Sequence, residues 1–445
     1  MADTGTVAEL DRRFSRLDGW LPPQVVTLLV ACGHLDAVRR HASRGDWHCT
    51  HALARLRAAD GDADAAVALL TPFAATGWWR AVQALTDLLT ECGRTGEAVA
   101  VLRPLADAGD RLALDRLATL LAGQGLVDEA VTLLRPHTGD WLLAKALVRL
   151  TDGRGRDDEV IAILRTLLDT EDRRAVDRWF TVSALATVLE RRGRVDEAIA
   201  VLRDGAPGTV QQLTDVLGRH GRDAQLHDLT AGAGGWQAAE RLAALRERQG
   251  RIDEAVAVLR PFADDHVGHA RPALAALLER HGRADESIAV LRTMIGEPSL
   301  DHQEWLAAEL GDLLLRLGRP GEAVAVFDEI AAHHGEMWFE LLPHRAPLLV
   351  ACGRTDEAIA EVRAHPEGDT VYGAELLAGL LADAGRLDEA VEALWPHRAD
   401  DSHSGRCALA ELLIRQGRVD LAIDVVTAPR EPPAQPLDDL ASGDV

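Results

Sequence analysis

Apolar residues recur along this chain in two registers, each tied to a glycine. Counting back from that glycine, apolar side chains fall at offsets −8, −5 and −4; counting forward, they fall at +5, +6, +8 and +9. Spacings of three and four residues mark one face of an α-helix, and nothing alternates with the period of two that a half-buried strand needs. The pattern occurs at thirteen glycines: Gly33, Gly61, Gly93, Gly125, Gly155, Gly193, Gly221, Gly250, Gly282, Gly318, Gly353, Gly385 and Gly417. Intervals run from 28 to 38 residues, most often 32, which accommodates two helices of about 12 residues and two short turns. Offset −8 is Leu in eleven of the thirteen units, −7 is mostly Ala, and +5 is Ala in nine. The small residues let neighbouring helices approach closely.

The glycine suits the left-handed residue that ends a helix. Acids at +3 and +4, such as Asp253 and Glu254, stand in the first turn of the next helix, where its dipole favours negative charge. Near-copies of one string, GRIDEAVAVLRP at 250–261, recur as GRTGEAVAVLRP at 93 and GRVDEAIAVLRD at 193. One such unit cannot bury its apolar face alone, and stacked copies build a continuous core. The expected fold is therefore all-α: an α-solenoid of about twelve to thirteen helix hairpins of roughly 32 residues.

Leu-Ala, Leu, Gly and Glu-Ala-Ile at these spacings resemble the tetratricopeptide repeat over roughly residues 18–427. The resemblance implies a right-handed superhelix whose first helices line a concave groove that binds a peptide. Two features depart from the family pattern. Pro72, Pro104, Pro136, Pro261 and Pro396 lie eleven residues after the glycine and are expected to end or kink the second helix early. Trp47, Trp79, Trp141, Trp179 and Trp236 all sit at −14 and are read as wedges between units. Residues 1–17 are read as an N-terminal capping half-repeat, and 428–445, rich in Pro and acids, as a disordered tail. The glycine-rich stretch 204–236 suggests a bend. In 333–347, Pro343 and Pro347 are expected to cut the helix before Gly353, and Arg345 takes the place usually held by Leu.

Composition narrows the function. The net charge of −23 opposes nucleic-acid binding, which leans on basic side chains. Lys145 is the only lysine against 47 arginines, and Asn is absent. The five cysteines show no CxxC spacing, no secretory leader or membrane span is evident, and a reducing cytoplasm is the expected home. Two clusters invite a metal reading: His41, His48, Cys49 and His51 in HASRGDWHCTH, and His333, His334, Glu336 and His344. Neither meets a zinc spacing, so buried packing and surface histidines are preferred, and no cofactor is expected. No catalytic motif is found.

Outward offsets on the first helices (−13, −10, −6, −3 and −2) would line the groove. They place Phe180, Trp305 and Tyr372 at −13; Asp87, Asp215, Asp312 and Glu411 at −6; and Arg191, Arg219, Arg248, Arg280, Arg316 and Arg415 at −2. The Asp215–Arg219, Asp312–Arg316 and Glu411–Arg415 spacings also suit intrahelical ion pairs. Lys-and-Asn carboxylate clamps known in the family have no counterpart here. The reading is a non-catalytic scaffold that binds a partner protein or peptide, with no nucleic acid or membrane. The last unit leaves apolar surface for a partner or a second copy. Alternatives are a pentatricopeptide-like RNA binder, an all-helical enzyme or biosynthetic accessory with a site near 333–347 or 41–51, and a regulatory module.

Overall fold

The computed structural model describes residues 6–16, 19–169, 175–205, 207–232, 235–265, 267, 269–293, 303–335, 337–400 and 402–428. Among these residues every regular element is a helix, from Val7–Arg16 to Val419–Thr427, with short 3₁₀ turns and no strand. The molecule is an α-solenoid of helical hairpins.

The glycines set the hairpins. All thirteen have φ between 65° and 85°, the left-handed region that side chains disfavour. At Gly93 the amide donates to Thr90 O at 3.0 Å, while Arg94 N–H reaches back to Leu89 O at 2.7 Å. This closure satisfies the last carbonyls of helix Trp79–Glu91 and turns the chain into helix Thr95–Asp107. The same two bonds recur at Gly250 and Gly417.

Both apolar registers end up inside. Leu117, Leu147, Leu242 and Leu409 at −8 are buried, as are Ala66, Ala130, Ala198 and Ala255 at +5. Between the Gly250 and Gly282 units, Ala243, Val256, Leu259, Leu274, Leu277 and Leu278 form one cluster, against which Trp236 and Phe262 pack. Each buried Leu contributes about 1.5–3 kcal/mol relative to exposure.

The repeated Gly-Arg-x-Asp-Glu string has a second use. The Arg at +1 grips the Glu at +4 of its own helix and reaches the Asp at +3 of the preceding unit. Arg94 holds Glu97 at 2.6 Å and Asp64 at 2.7 Å; Arg283 holds Glu286 at 2.6 Å and Asp253 at 3.0 Å; Arg386 holds Glu389 at 2.6 Å and Asp356 at 3.2 Å. A second arginine, at +10 of the preceding unit, can reach the same Glu, as Arg165 does to Glu197 at 2.9 Å and Arg363 to Glu389 at 3.2 Å. Hydrogen bonds from Arg386 and then Arg363 push the Glu389 carboxyl down to about 2. Exposed pairs are individually weak. Their repetition fixes which helix start faces which.

Two compact units divide the chain, residues 99–313 and residues 1–98 with 314–445. Within 99–313, helices pack in sequence order, as Gly235–Arg248 on Ile252–Asp264 and that helix on Ala270–Arg280. The stretch 204–236 lies inside this unit. Its second helix, Asp223–Leu229, has only 7 residues, and Val210–Arg219 packs directly on Gly235–Arg248.

In the other unit, Leu10 of helix Val7–Arg16 is buried and Asp11 accepts from Trp78 Nε1 at 2.8 Å. Helix Pro23–Ala31 packs on His403–Arg415 as well as on its sequence neighbours. Gln24 Nε2 lies 3.4 Å from His403 Nε2, and Arg40 pairs with Asp420 at 3.1 Å. The C-terminal end thus carries the first hairpin of the same chain.

Two expectations about proline are corrected. Helices Ala63–Ala74, Thr95–Asp107 and Ile252–Asp264 run through Pro72, Pro104 and Pro261. Each proline sits two or three residues from the helix end, and the buried Phe73, Ala106 and Ala263 that follow it anchor the last turn. Only at Pro136 and Pro396 does the α-helix stop, at Leu134 and Leu394, and continue as a 3₁₀ turn. Helix Leu342–Ala351 likewise survives both of its prolines, with Pro343 in the first turn, where no amide is missed, and Pro347 inside. Arg345 is only 4% exposed. It forks onto Glu361 at 2.9 and 3.0 Å and reaches Asp328 at 2.8 Å and Val324 O at 3.2 Å, so a paired guanidinium replaces the usual Leu.

Two outcomes follow. No atom lies within 4 Å of the position a Cβ would take at Gly250, so Gly250→Ala should cost about 1–2 kcal/mol through backbone strain alone. Gly250→Asn should cost less, and urea unfolding checks both. Arg345→Leu should destabilise by about 2 kcal/mol by stranding Glu361, and adding Glu361→Leu should recover part of that loss in the same assay.

Candidate partner-binding cleft

Three consecutive first helices in the 99–313 unit shape one cleft: Trp141–Leu150, Ala175–Arg191 and Val210–Arg219. Asp140 caps the first of them, accepting from Leu142 N–H at 2.8 Å, and so fixes Trp141 at the helix start. Trp141 and Phe180 stack with ring centroids 4.7 Å apart and planes 17° from parallel, and Trp179 lies 4.3 Å from Phe180. The cleft encloses about 860 Å³. Lys145 and Arg149 line it beyond the aromatic end, Ser183 and Thr187 lie along it, and Glu190, Arg191, Arg219 and His220 close its polar end.

Most of its charges already have partners. Arg149 holds Asp115 at 2.8 Å. Arg191 is half spent on the preceding unit, pairing with Asp157 at 2.5 Å and donating to Val148 O at 2.6 Å and Thr151 Oγ1 at 3.0 Å. Arg219 forks onto Glu190 at 2.8 and 2.9 Å, and His220 Nε2 lies 2.9 Å from the same carboxylate. The Arg219 guanidinium, backed by His220, holds Glu190 below the usual carboxylate range. Arg280 and His281 clasp Glu247 in the same way, all at 2.9 Å. Lys145 is exposed and has no acid partner among the described residues.

The other expected groove residues scatter. Trp305 is half-buried, edge-on to His269 at 5.1 Å. Tyr372 stands 67% exposed in the other unit. Asp87 is half-buried, and Asp312 and Arg316 are exposed. Glu411 and Arg415 form their intrahelical pair at 2.5 Å. Asp215 does not pair with Arg219: it pairs with Arg241 on the next first helix, because the facing helix brings a guanidinium closer than its own turn does. Arg248 donates to Gly218 O at 3.1 Å. Trp47 packs between Phe73 and Trp78 at 5.3 and 5.0 Å, as a wedge should, whereas Trp141 and Trp179 border the open cleft. Sequence reasoning did not single out Lys145, Arg149, Ser183 or Thr187, although they sit at the outward offsets −10 and −6.

The HASRGDWHCTH segment is packed rather than poised. Asp46 caps helix Trp47–Ala59 through Cys49 N–H at 3.0 Å and binds Leu21 N–H at 2.6 Å. His48 lies between Phe14 at 5.5 Å and Trp20 at 5.9 Å, and His51 stacks on Trp47 at 5.5 Å. Burial lowers the pKa of His41, His48 and His51 and raises that of Cys49. His333 and His344 are exposed; Glu336 and the His334 side chain lie outside the described residues. Among the described residues no three His, Cys, Asp or Glu side chains gather as metal ligands would, and no helix is long and apolar enough to cross a membrane.

The sequence model of the tetratricopeptide repeat matches residues 180–204 and 305–329. No curated protein matches the chain in sequence. Solved structures that resemble it include Naa15/Naa10 bound to HypK-THB, at 14% identity and TM-score 0.36 over 84% of this chain and 67% of that one. Another is the pentatricopeptide repeat protein PPR10 from maize, at 16% and 0.37 over 85% of this chain, which spans only 62% of that protein. A third is the APC/C hetero-tetramer Cut9–Hcn1, at 12% and 0.25 over 84% and 90%. The hairpins, their glycines and their cores define a helical-repeat protein. More narrowly, its repeats at 180–204 and 305–329 are tetratricopeptide-like.

The three lowered histidine pKa values carry a sign. Neutral when folded, these groups take up protons on unfolding below about pH 6.5, so stability around residues 41–51 should fall as pH drops from 7 to 5. Protection factors of helix Trp47–Ala59, corrected for the intrinsic pH dependence of amide exchange, should fall over that window, and His48→Gln should flatten part of the dependence.

Proposed function

We propose that this protein is a non-catalytic scaffold that binds a segment of a partner protein along the outward face of its first helices. The anchor is the cleft walled by Trp141, Trp179 and Phe180. One observation carries the reading: stacked aromatic rings stand half-exposed in a cleft of about 860 Å³ instead of inside the core. Aromatic side chains at the centre of a concavity are the usual anchors of interfaces, and such clefts suit peptide or ligand side chains. Tyr372 offers a second, separate contact. The net charge of −23 supports a protein partner over nucleic acid. All five cysteines are free thiols, which supports a reducing cytoplasm.

Affinity capture from the native cytosol tests the proposal. Trp141→Ala with Phe180→Ala should weaken partner capture at least about tenfold, a loss of the size hot-spot residues give, with helical circular dichroism unchanged. Equal capture by the variant would overturn the assignment of the cleft.

A further inference from the structure

Accepting that the cleft receives a partner segment, we infer what that segment looks like: an extended, acidic stretch that places an apolar side chain on the Trp141–Phe180 stack and a side-chain carboxylate at Lys145, two residues along. Charge carries the first half of the argument. In a chain of net charge −23, the lining of this cleft holds Lys145, Arg149, Arg191 and Arg219 against only Asp152 and Glu190. The arginines are committed to Asp115, Asp157 and Glu190. The Lys145 ammonium alone has no acid among the described residues. A basic segment finds little in its place, since Glu190 is already clasped by Arg219 and His220.

Spacing carries the second half. Trp141, Lys145 and Arg149 follow one another at intervals of four along helix Trp141–Leu150, so they form one row on its surface. Successive members of that row are about one helical pitch apart, roughly 5.4 Å. Alternate residues of an extended peptide point to the same side and lie about 6.6–6.8 Å apart. An apolar residue and an acid separated by a single residue therefore match the aromatic-then-cation order of the row. The middle residue faces away.

The test uses the full chain and a labelled peptide, acetylated and amidated at its ends, of sequence Gly-Phe-Ser-Glu-Phe-Ser-Glu-Gly. Controls are its Gln-for-Glu and Lys-for-Glu counterparts and a Gln version with a free C-terminus. Fluorescence anisotropy should show the Glu peptide bound about fivefold more tightly than the Gln peptide, the Lys peptide binding weakest. Lys145→Gln should erase the preference for Glu over Gln, Lys145→Glu should turn it toward the Lys peptide, and Trp141→Ala should weaken all the peptides alike. Equal binding of the Glu and Gln peptides, with Trp141→Ala still weakening both, would sink the acidic-segment inference and leave the scaffold reading standing. Binding only by the free-carboxylate peptide would also sink it, by assigning Lys145 to a chain terminus. No binding by any peptide, or binding indifferent to Trp141→Ala, would remove the cleft reading together with the inference.

Discussion

A single backbone requirement organises this protein: at regular intervals one residue must take the left-handed conformation, and only glycine does so without strain. At all but Gly155, such a residue closes one helix and returns two amides to its last carbonyls, and the next helix starts two positions on. Because the reversal is made in nearly the same way, Leu at −8 and Ala at +5 arrive on the inner faces wherever the units carry them. The same turn sets the following arginine at the start of the second helix, within reach of its own glutamate and the preceding unit's aspartate. Core and charge ladder are thus two results of one constraint, which is why variants of Gly-Arg-x-Asp-Glu-Ala recur along the chain.

The hairpins and their interior were legible because each unit repeats the same few residue types at the same offsets, so chance matches average out. Prolines were misjudged at Pro72, Pro104, Pro261 and Pro347. A rule about lost hydrogen bonds says nothing of the buried residues beyond them that hold the last turn in place. Partners across units were invisible for a related reason. Asp215 has a suitable arginine four residues away, yet it pairs with Arg241, and only the packing of one helix on the next decides that.

The cleft was half legible. Its lining falls at the offsets that face outward on first helices, but every unit has such offsets. What distinguishes this place is the interval from Gly155 to Gly193, the longest in the chain at 38 residues, and the 17-residue helix it contains. There Trp179 and Phe180 stand beside Trp141 in the open, whereas Trp47, at the same offset in another unit, is driven into the core. The His- and Cys-rich stretch makes the complementary point, because its chemistry-bearing side chains are absorbed by aromatic packing around Asp46, Trp20 and Trp78.

The packing of Pro23–Ala31 on His403–Arg415 joins positions 379 residues apart in sequence at Gln24 and His403. Contacts between adjacent hairpins close short loops and can form early and independently. Closing this one carries the entropy of ordering segments 379 residues apart, so its formation waits until the segments between are in place. On a ribosome it is withheld until helix His403–Arg415 has emerged. Helix Pro23–Ala31, although made early, acquires this neighbour only then.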